Sequence, residues 1–292
     1  MTDTHTLEIV EDAVEAPIEP SAPFIGEFVD QYVDEYVDEY ADATRYDYEY
    51  GTSGADLPFY VELAAGADGR VLDVATGTGR VALALADAGH DVTGVDINSG
   101  MLAVAAAKDE AERVTWIEQD ARELKVRGKF DLAIVAGNAL QQFLTNADRA
   151  AVLKGIYRHL NAGGTVAIAV RFPHATELAR RVESPEIWHS YTDAAGSQVV
   201  VSGTQRYDAV AQVMTHETYR QYAVDGTSAA APTTTALRYS YPQELLGALE
   251  AARFEVDGVY ADFARTPLTA ETAGTASALV LVARKPAKAT QQ

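Results

Sequence analysis

The sequence contains no cysteine among its 292 residues. This absence excludes disulfide bonds, thiolate metal sites and a cysteine nucleophile. The chain also lacks an apolar run close to the roughly 20 residues that a membrane-spanning helix needs, and its start is acidic rather than a charged segment followed by an apolar one. We therefore expect a cytoplasmic protein that has no membrane partner.

Basic residues are scarce, because 23 Lys and Arg stand against 43 Asp and Glu, for a formal net charge of -20. Such a surface repels phosphates, and no cluster of Lys and Arg offsets the repulsion, so nucleic-acid partners are not expected. A hydrophobic content of 48% over this length is enough to bury a complete α/β core. The composition indicates one such domain with an elaboration.

The stretch from residue 71 to residue 96 has the pattern of a βαβ unit. A buried parallel strand over 71–74 precedes Gly77 and Gly79, which allow a sharp turn and a close approach of the backbone to a ligand. A helix is predicted over 81–88, and Asp96 ends the apolar run of the second strand. A carboxylate at that point accepts hydrogen bonds from the two hydroxyls of a ribose. The unit therefore predicts a ligand with an adenosine-like ribose.

Two ligands fit this unit. Gly77-Thr-Gly79-Arg-Val-Ala82 matches the dinucleotide fingerprint G-x-G-x-x-A, so a nicotinamide-dependent oxidoreductase is one interpretation. Asp73 favours another, because a carboxylate at the end of the first strand opposes an anionic pyrophosphate but suits a cation. S-adenosylmethionine carries a sulfonium and an α-ammonium beside its ribose. We therefore expect S-adenosylmethionine as the cofactor, with a dinucleotide as the alternative.

Further motifs follow in a characteristic order. They include Tyr46-Asp-Tyr-Glu-Tyr50-Gly, the glycine turn, Gly94-Val-Asp96, Glu118-Gln-Asp120-Ala121, Gly137-Asn138-Ala-Leu-Gln141 and Arg238-Tyr-Ser-Tyr-Pro-Gln-Glu-Leu245. On these motifs most of the chain resembles the class I S-adenosylmethionine-dependent methyltransferases, in the small-molecule group that includes glycine N-methyltransferase and the aminosugar N-methyltransferases. The resemblance implies methyl transfer to a nitrogen or oxygen of a small-molecule acceptor, in specialised metabolism, by a homo-oligomer. A protein that binds S-adenosylmethionine without transferring its methyl group is a third interpretation.

Alternating strands and helices predict a Rossmann-like, doubly wound sheet, and the resemblance implies seven strands with the last one reversed. A small antiparallel β-sheet is predicted as an insertion that forms an acceptor roof or an oligomer interface. Tyrosines repeat every four residues from Tyr32 to Tyr40, which predicts an amphipathic helix in an N-terminal helical lid. The predicted division is a tail (1–23), the lid (24–66), the core (67–190 and 242–286), the insertion (191–241) and a second tail (287–292).

The resemblance also implies which residues hold the cofactor. Ile97 and Met101 would lie on either side of the adenine, and Asp120 would accept from its amino group, although Asp120 can equally cap the next turn. Arg80 would brace the glycine turn or the cofactor carboxylate. The predicted cofactor-binding residues are Tyr46, Tyr50, Asp73, Ala75, Gly77, Gly79, Arg80, Asp96, Ile97, Met101, Asp120, Ala121 and Gly137.

Methyl transfer needs alignment and exclusion of water more than covalent help, and a base matters only if the acceptor arrives protonated. His174, just past the fifth strand, is the first candidate for that base, with a loop histidine that contacts the backbone as the alternative. His189, His216 and Tyr219 in the insertion are weaker candidates.

The acceptor pocket is predicted around Asn138, which matches the asparagine of the Gly-Asn-Ser segment in glycine N-methyltransferase. Ala139 replaces the serine of that segment, so the pocket has changed. The predicted substrate-binding residues are Asn138, Gln141 and Arg171. No metal site is predicted, because a catechol-type magnesium mechanism needs clustered carboxylates that the sequence does not place.

Overall fold

The computed structural model describes residues 38–51, 53–67, 69–222, 228–229 and 231–287. These residues form one seven-stranded sheet and one five-stranded sheet. Within this part of the chain, no helix has the length and apolar character needed to cross a membrane.

The seven-stranded sheet has the order β11-β12-β5-β4-β1-β2-β3. Its strands are β1 (Val71–Val74), β2 (Val92–Asp96), β3 (Val114–Glu118), β4 (Phe130–Val135), β5 (Leu160–Val170), β11 (Glu255–Tyr260) and β12 (Leu279–Arg284). Strand β1 lies parallel to β2 and β4, whereas β12 lies antiparallel to both β5 and β11. The predicted doubly wound sheet with a reversed last strand is confirmed.

Helices cover both faces of this sheet. They are α1 (Ala43–Tyr50), α2 (Leu57–Ala65), α3 (Arg80–Asp87), α4 (Ser99–Lys108), α5 (Ala139–Gln142), α6 (Asn146–His159), α7 (Ala175–Leu178) and α8 (Pro242–Ala251). Phe59 of α2 and Leu85 of α3 pack in one apolar cluster, and Ile156 of α6 and Leu245 of α8 pack in another. Two separate apolar layers therefore hold the sheet between them.

The five-stranded sheet has the order β10-β8-β7-β6, with a short β9 paired to β8. Its strands are β6 (Val182–Thr192), β7 (Gln198–Asp208), β8 (Val213–Tyr222), β9 (Ser228–Ala229) and β10 (Thr233–Arg238), and every pairing is antiparallel. The predicted insertion is therefore present, but its sheet begins at Val182 rather than at residue 191. Strand β6 lies at the sheet edge and buries only Val182, so it lacks the alternation of apolar residues by which strands are recognised.

Most of the predicted lid helix lies outside the described residues. Residues 24–37 of that prediction, and the tails apart from residue 287, lie outside the described residues. At Asp38 the chain forms a parallel β-bridge to Thr234 of β10, and the carboxylate of Asp38 accepts a hydrogen bond from the backbone of Tyr40. Residues 38–40 are therefore not helical, and α1 is the first helix among the described residues.

Candidate active site

A cavity of about 370 Å³ lies beyond the carboxyl ends of β1, β2, β3 and β4. This is the edge at which ligands bind in doubly wound sheets. Every predicted cofactor-binding residue lines it except Gly79. We call it the first cavity. Its walls come from the glycine turn, the loops after the four strands, and α1.

The two glycines of the turn have different surroundings. Both have positive φ, +57° at Gly77 and +81° at Gly79, where a side chain is strained. A Cβ at Gly77 would meet no atom within 4 Å, whereas a Cβ at Gly79 would lie 2.7 Å from the Trp116 ring and 2.9 Å from Ala105. Gly77 therefore faces the cavity, and Gly79 allows the start of α3 to pack on β3 and α4. The predicted ligand contact at Gly79 is replaced by a packing role.

Asp96 holds this turn in place. Its Oδ2 accepts a 2.8 Å hydrogen bond from the backbone N–H of Gly77, and its Oδ1 accepts a 2.9 Å bond from Asn98. Partial burial raises the pKa of this carboxyl above its usual value. Each carboxylate oxygen has capacity for a further hydrogen bond, and the side chain lines the cavity. Asp96 therefore lies at the carboxyl end of β2 and in the cavity wall, where the sequence places it.

Asp73 is a buried carboxyl in the wall of the same cavity, with only 2% of the residue exposed. Thr76 Oγ1 donates a 2.6 Å hydrogen bond to its Oδ2, and no ion pair reaches it within the described residues. Burial raises the pKa of Asp73 to about 7, which the hydrogen bond from Thr76 offsets only in part. The first cavity therefore presents an acidic group whose ionisation a cation would favour.

Arg80 braces the entrance of the cavity. Its two terminal nitrogens donate to the two carboxylate oxygens of Asp56, at 2.5 Å and 2.8 Å, and one also donates to the Ser53 carbonyl. Planar bidentate pairs of this kind fix orientation as well as charge. Two roles were predicted for Arg80, bracing and contact with the cofactor carboxylate. The observed contacts are those of bracing, since the guanidinium connects α3 to the loop before α2.

Asp120 caps the turn that follows β3. Its carboxylate accepts from the backbone N–H of Arg122 at 2.8 Å and pairs with the Arg122 guanidinium at 2.6 Å. These contacts with Arg122 lower the pKa of Asp120. The alternative role predicted for Asp120, capping the next turn, is therefore observed. The side chain also lines the first cavity, beside the exposed Ile97 and the buried Met101.

A second cavity of about 740 Å³ continues from the first, and the two share Tyr40, Tyr46, Tyr50 and Gly137. The tyrosine rings contact one another, with centroids 5.6 Å apart for Tyr40 and Tyr46 and 5.0 Å for Tyr46 and Tyr50. The five-stranded sheet supplies much of the remaining wall, namely Trp188, His189, Gln205, His216, Thr218, Thr235 and Leu237. A two-chambered site therefore spans the seven-stranded sheet and the inserted one.

Two of the three predicted acceptor residues line the second cavity. Asn138 does so at a positive φ of +64°, and Arg171 does so while pairing with Glu177 at 2.9 Å. Gln141 lines neither cavity, because α5 turns it into the core, where it is 1% exposed. Its Oε1 accepts from the backbone N–H of Arg171 at 3.1 Å. The predicted contact of Gln141 with the acceptor is therefore corrected to support of Arg171.

His174 also lines neither cavity, contrary to its predicted place at the mouth of the cleft. The chain turns into α7 at this residue, and the ring packs on Phe172 with its Nε2 2.8 Å from the Ala276 carbonyl oxygen. The alternative interpretation, a loop histidine that contacts the backbone, describes this position. Tyr219 lines neither cavity, whereas His189 and His216 both line the second one.

His216 is neutral in this setting. Burial, together with the nearby charge of Arg171, lowers its pKa to about 4. The ring packs edge-on against Trp188, with centroids 5.8 Å apart. No hydrogen bond to this imidazole is found within the described part of the chain.

A buried charge cluster that the sequence did not predict joins α1 to the five-stranded sheet. We call it the Arg220 cluster, formed by Glu39, Arg45, Glu49, Arg220 and Thr233. Arg220 Nε donates to Glu49 Oε2 at 2.7 Å, and the same guanidinium donates to Glu39 and, at 2.8 Å, to Thr233. The side chains of Arg220 and Glu49 are 1% and 0% exposed. The sequence contained one sign of this cluster. Arg220 lies on β8 at the same two-residue spacing as Met214, His216 and Thr218, and all four share the buried face of the strand.

Comparison with known proteins agrees with this geometry. Residues 71–164 match the family described as "Methyltransferase domain". The putative methyltransferase YqeM of Bacillus subtilis is 28% identical over 151 residues, which are 48% of this chain and 61% of that protein. The cypemycin N-terminal methyltransferase of a Streptomyces species is 29% identical over 220 residues, which are 75% of this chain and 86% of that protein. The chain thus spans less than two thirds of the length of the first relative.

The structure of the CcbJ methyltransferase from Streptomyces caelestis superposes with a TM-score of 0.72 at 23% identity, covering 86% of this chain and 99% of that one. At this identity the similarity shows a common fold. The glycine turn with Asp73 and Asp96 lies within the matched domain, and the strand order around it is the one described above. The chain is therefore similar in sequence to known methyltransferases, and the matched methyltransferase domain spans residues 71–164.

Proposed function

We propose that this protein binds S-adenosylmethionine in the first cavity and transfers its methyl group to a nitrogen or oxygen of a small-molecule acceptor held in the second, in specialised metabolism. The observation that carries this proposal is the buried carboxyl of Asp73 in the wall of the first cavity. It has no cation paired with it among the described side chains. A dinucleotide would bring a pyrophosphate towards this group, whereas S-adenosylmethionine brings an ammonium and a sulfonium.

The residues present suit this cofactor along the whole first cavity. Asp96 would hold the ribose hydroxyls, and Asp73 would face the ammonium end. Ile97 and Met101 would pack on the adenine, and Gly77 leaves the open space that a close approach requires. When bound, S-adenosylmethionine supplies an activated methyl group. The protein then has to align an acceptor with that group and keep water away.

Alignment is the role we assign to the junction of the two cavities. Tyr40, Tyr46 and Tyr50 form a row of contacting rings there, and Gly137 lies in both walls. An acceptor in the second cavity would approach the first past these tyrosines and Gly137. The five-stranded sheet closes the second cavity from the other side, which supports its predicted role as a roof over the acceptor.

The acceptor chamber contains charges of both signs. Arg171 is paired with Glu177, and Tyr239 also donates to the Glu177 carboxylate at 2.9 Å. Arg180 and Glu39 lie in the same wall. A polar small molecule with hydrogen-bonding groups suits such a wall better than an apolar one. The cypemycin enzyme, by its name, methylates an N-terminus, and by analogy an amine is the first acceptor class to test.

Calorimetric titration of the purified protein with S-adenosylmethionine, S-adenosylhomocysteine and NAD tests the cofactor. We expect the first two to bind, and Asp96→Ala to weaken both by about 1–3 kcal/mol through loss of the ribose contacts. Asp91→Ala is the matched control, because that carboxylate is 62% exposed and pairs with Arg70 before β2, away from the cavity.

Transfer is then followed with methyl-labelled cofactor and a panel of amines, amino sugars, phenols and carboxylic acids. Labelled product from an amine or a hydroxyl supports the proposal. Binding of NAD alone would indicate an oxidoreductase. Binding of S-adenosylmethionine without transfer to any acceptor would indicate a protein that kept the cofactor site without the transfer chemistry.

A further inference from the structure

His189 and Glu49 form a contact between two distant parts of the chain at the edge of the second cavity. His189 lies on β6 and Glu49 on α1, and His189 Nε2 is 3.1 Å from Glu49 Oε1. The imidazole lines the cavity and its side chain is 38% exposed, whereas the Glu49 side chain is fully buried. A buried carboxylate therefore faces one nitrogen of a ring that borders the acceptor chamber.

Glu49 also contacts the two arginines of the Arg220 cluster. Its Oε2 accepts from Arg220 Nε at 2.7 Å and lies 3.5 Å from Arg45. Guanidinium groups only donate hydrogen bonds, so Oε2 accepts from the arginines while Oε1 is the oxygen that faces His189. The two glutamates of the Arg220 cluster, Glu39 and Glu49, are balanced by its two arginines. The cluster therefore needs no positive charge from the imidazole.

This arrangement selects one form of the imidazole. An ionised carboxylate can only accept, so Nε2 of His189 must carry the hydrogen and donate it to Glu49. The remaining nitrogen, Nδ1, then has a free lone pair and no hydrogen-bond partner among the residues that the structure describes. A carboxylate that fixes the tautomer and orientation of an imidazole, so that the opposite nitrogen can take a proton, is a recurring catalytic arrangement.

We propose that Nδ1 of His189 is the base that removes a proton from an amine acceptor, and that Glu49 is the positioning residue that holds the hydrogen of the neutral ring on Nε2 and so leaves the Nδ1 lone pair for the acceptor. This inference rests on the proposed function, which it narrows to acceptors that arrive as ammonium ions. The N–H electron pair stays on the acceptor nitrogen and the proton moves to Nδ1. The nitrogen then uses this pair to form a bond to the methyl carbon while the carbon–sulfur bond breaks, its electron pair stays on sulfur and S-adenosylhomocysteine leaves. His189 later releases its proton to solvent.

His216 is the competing histidine in the same chamber, and its surroundings differ. It packs against Trp188 and has no carboxylate partner within the described residues to set its tautomer. Burial and Arg171 also keep its pKa low, at about 4. The groups that face His189 are Glu49 and Tyr50 of α1, with Arg45 and Arg220 one contact further away. Only His189 combines a free nitrogen with an orienting acid.

Imidazole ¹⁵N NMR tests the proposal without cofactor or acceptor, with His189→Gln used to assign the signal. We expect wild-type His189 to carry its hydrogen on Nε2. In Glu49→Gln the single side-chain oxygen stays with the two guanidinium groups, so the amide NH₂ faces the ring and forces the hydrogen onto Nδ1. An Nδ1–H form in the wild type, or an unchanged form in Glu49→Gln, would overturn the proposal. Circular dichroism verifies that each variant is folded.

Steady-state kinetics with an amine found in the acceptor panel give the second test. His189→Gln keeps a side-chain N–H for Glu49 but has no base, so kcat should fall by roughly 10²–10⁴-fold at neutral pH. The loss should shrink as pH rises, because the free amine then forms in solution, and a purely structural defect has no reason to recover in this way. An unchanged kcat would refute the role of His189. If the proposed function is wrong, the calorimetric titration will show no binding of S-adenosylmethionine. The NMR test is independent of that result, because it uses neither cofactor nor acceptor.

Discussion

The carboxylate of Asp96 accepts a 2.8 Å hydrogen bond from the backbone N–H of Gly77. The residue proposed to hold the ribose therefore also holds the turn against which the cofactor would lie. Asp96 fixes the turn through a hydrogen bond internal to the protein, which preorganises this part of the site. Such preorganisation lowers the free-energy cost of binding.

The two glycines of the turn should respond differently to alanine. Gly77→Ala should cost roughly 1–2 kcal/mol in unfolding free energy, because its Cβ meets only the strain of a positive φ. That Cβ projects into the first cavity, so S-adenosylmethionine binding should weaken at least tenfold. Gly79→Ala adds overlap with Trp116 and Ala105, and should cost roughly 1–3 kcal/mol more.

Urea unfolding and calorimetric titration of both variants measure these effects. If Gly77→Ala were the less stable protein, or if it bound the cofactor normally, the assignment of the two glycines would be wrong.

Cofactor binding should depend on the protonation of Asp73. Its pKa is raised from 3.8 to about 7 by burial, so below pH 7 the acid is mostly neutral and attracts a cation less. Affinity for S-adenosylmethionine should therefore fall as pH decreases through this range, and binding near neutral pH should release a proton. Calorimetry in buffers of different ionisation enthalpy counts that proton. Asp73→Asn should bind more weakly and show no proton release.

The same shift has an opposite effect on stability. Because the folded protein binds this proton more tightly than the unfolded chain does, ionised Asp73 destabilises the fold increasingly from about pH 4 to about pH 7. Asp73→Asn should thus unfold at a higher temperature than the wild type at about pH 8, with the difference vanishing near pH 4. A destabilised Asp73→Asn at the higher pH would contradict the burial argument.

Removing the buried guanidinium of Arg220 should loosen α1 from the five-stranded sheet. Arg220→Met leaves Glu39 and Glu49 with Arg45 alone, and the loss of one partner from a buried ion pair costs about 3–5 kcal/mol. Arg284→Met is the matched control, because that arginine pairs with Glu255 and Asp257 at the surface, where such pairs are worth at most about 1 kcal/mol. Urea unfolding compares the two, and equal losses would show that the Arg220 cluster does not anchor the lid.

Arg253 offers a stabilising substitution. It follows α8 with φ at +72°, the left-handed conformation that a glycine commonly adopts where a helix ends. Arg253→Gly should raise the unfolding free energy by about 1 kcal/mol, since glycine adopts this conformation without strain. Arg253→Ala keeps the strain and should bring no gain. Thermal unfolding of both variants separates relief of backbone strain from loss of the arginine side chain.

The core strands and the line of ligand-facing residues could be predicted because they depend on local order along the chain. Continuous apolar runs define β1, β2 and β4, and parallel strands bring the residues after them to one edge. Asp73, Asp96 and Gly137 therefore meet in one cavity as predicted. Strand β6 was not predicted, because an exposed edge strand carries little hydrophobic pattern.

The acceptor side depended on contacts that no local pattern contains. His174 and Gln141 have suitable side chains at suitable places in the chain, but the start of α7 and the turn of α5 direct them away from both cavities. Glu49 and His189 lie 140 residues apart in sequence and meet only because the five-stranded sheet folds back over α1.

By itself, the sequence determined the doubly wound sheet, the glycine turn and the cofactor edge, since hydrophobic periodicity and strand direction are properties of neighbouring residues. Only the tertiary structure decided which titratable side chains border the acceptor chamber. That choice depends on the packing of the lid and the inserted sheet, whose contacts join segments far apart in the chain.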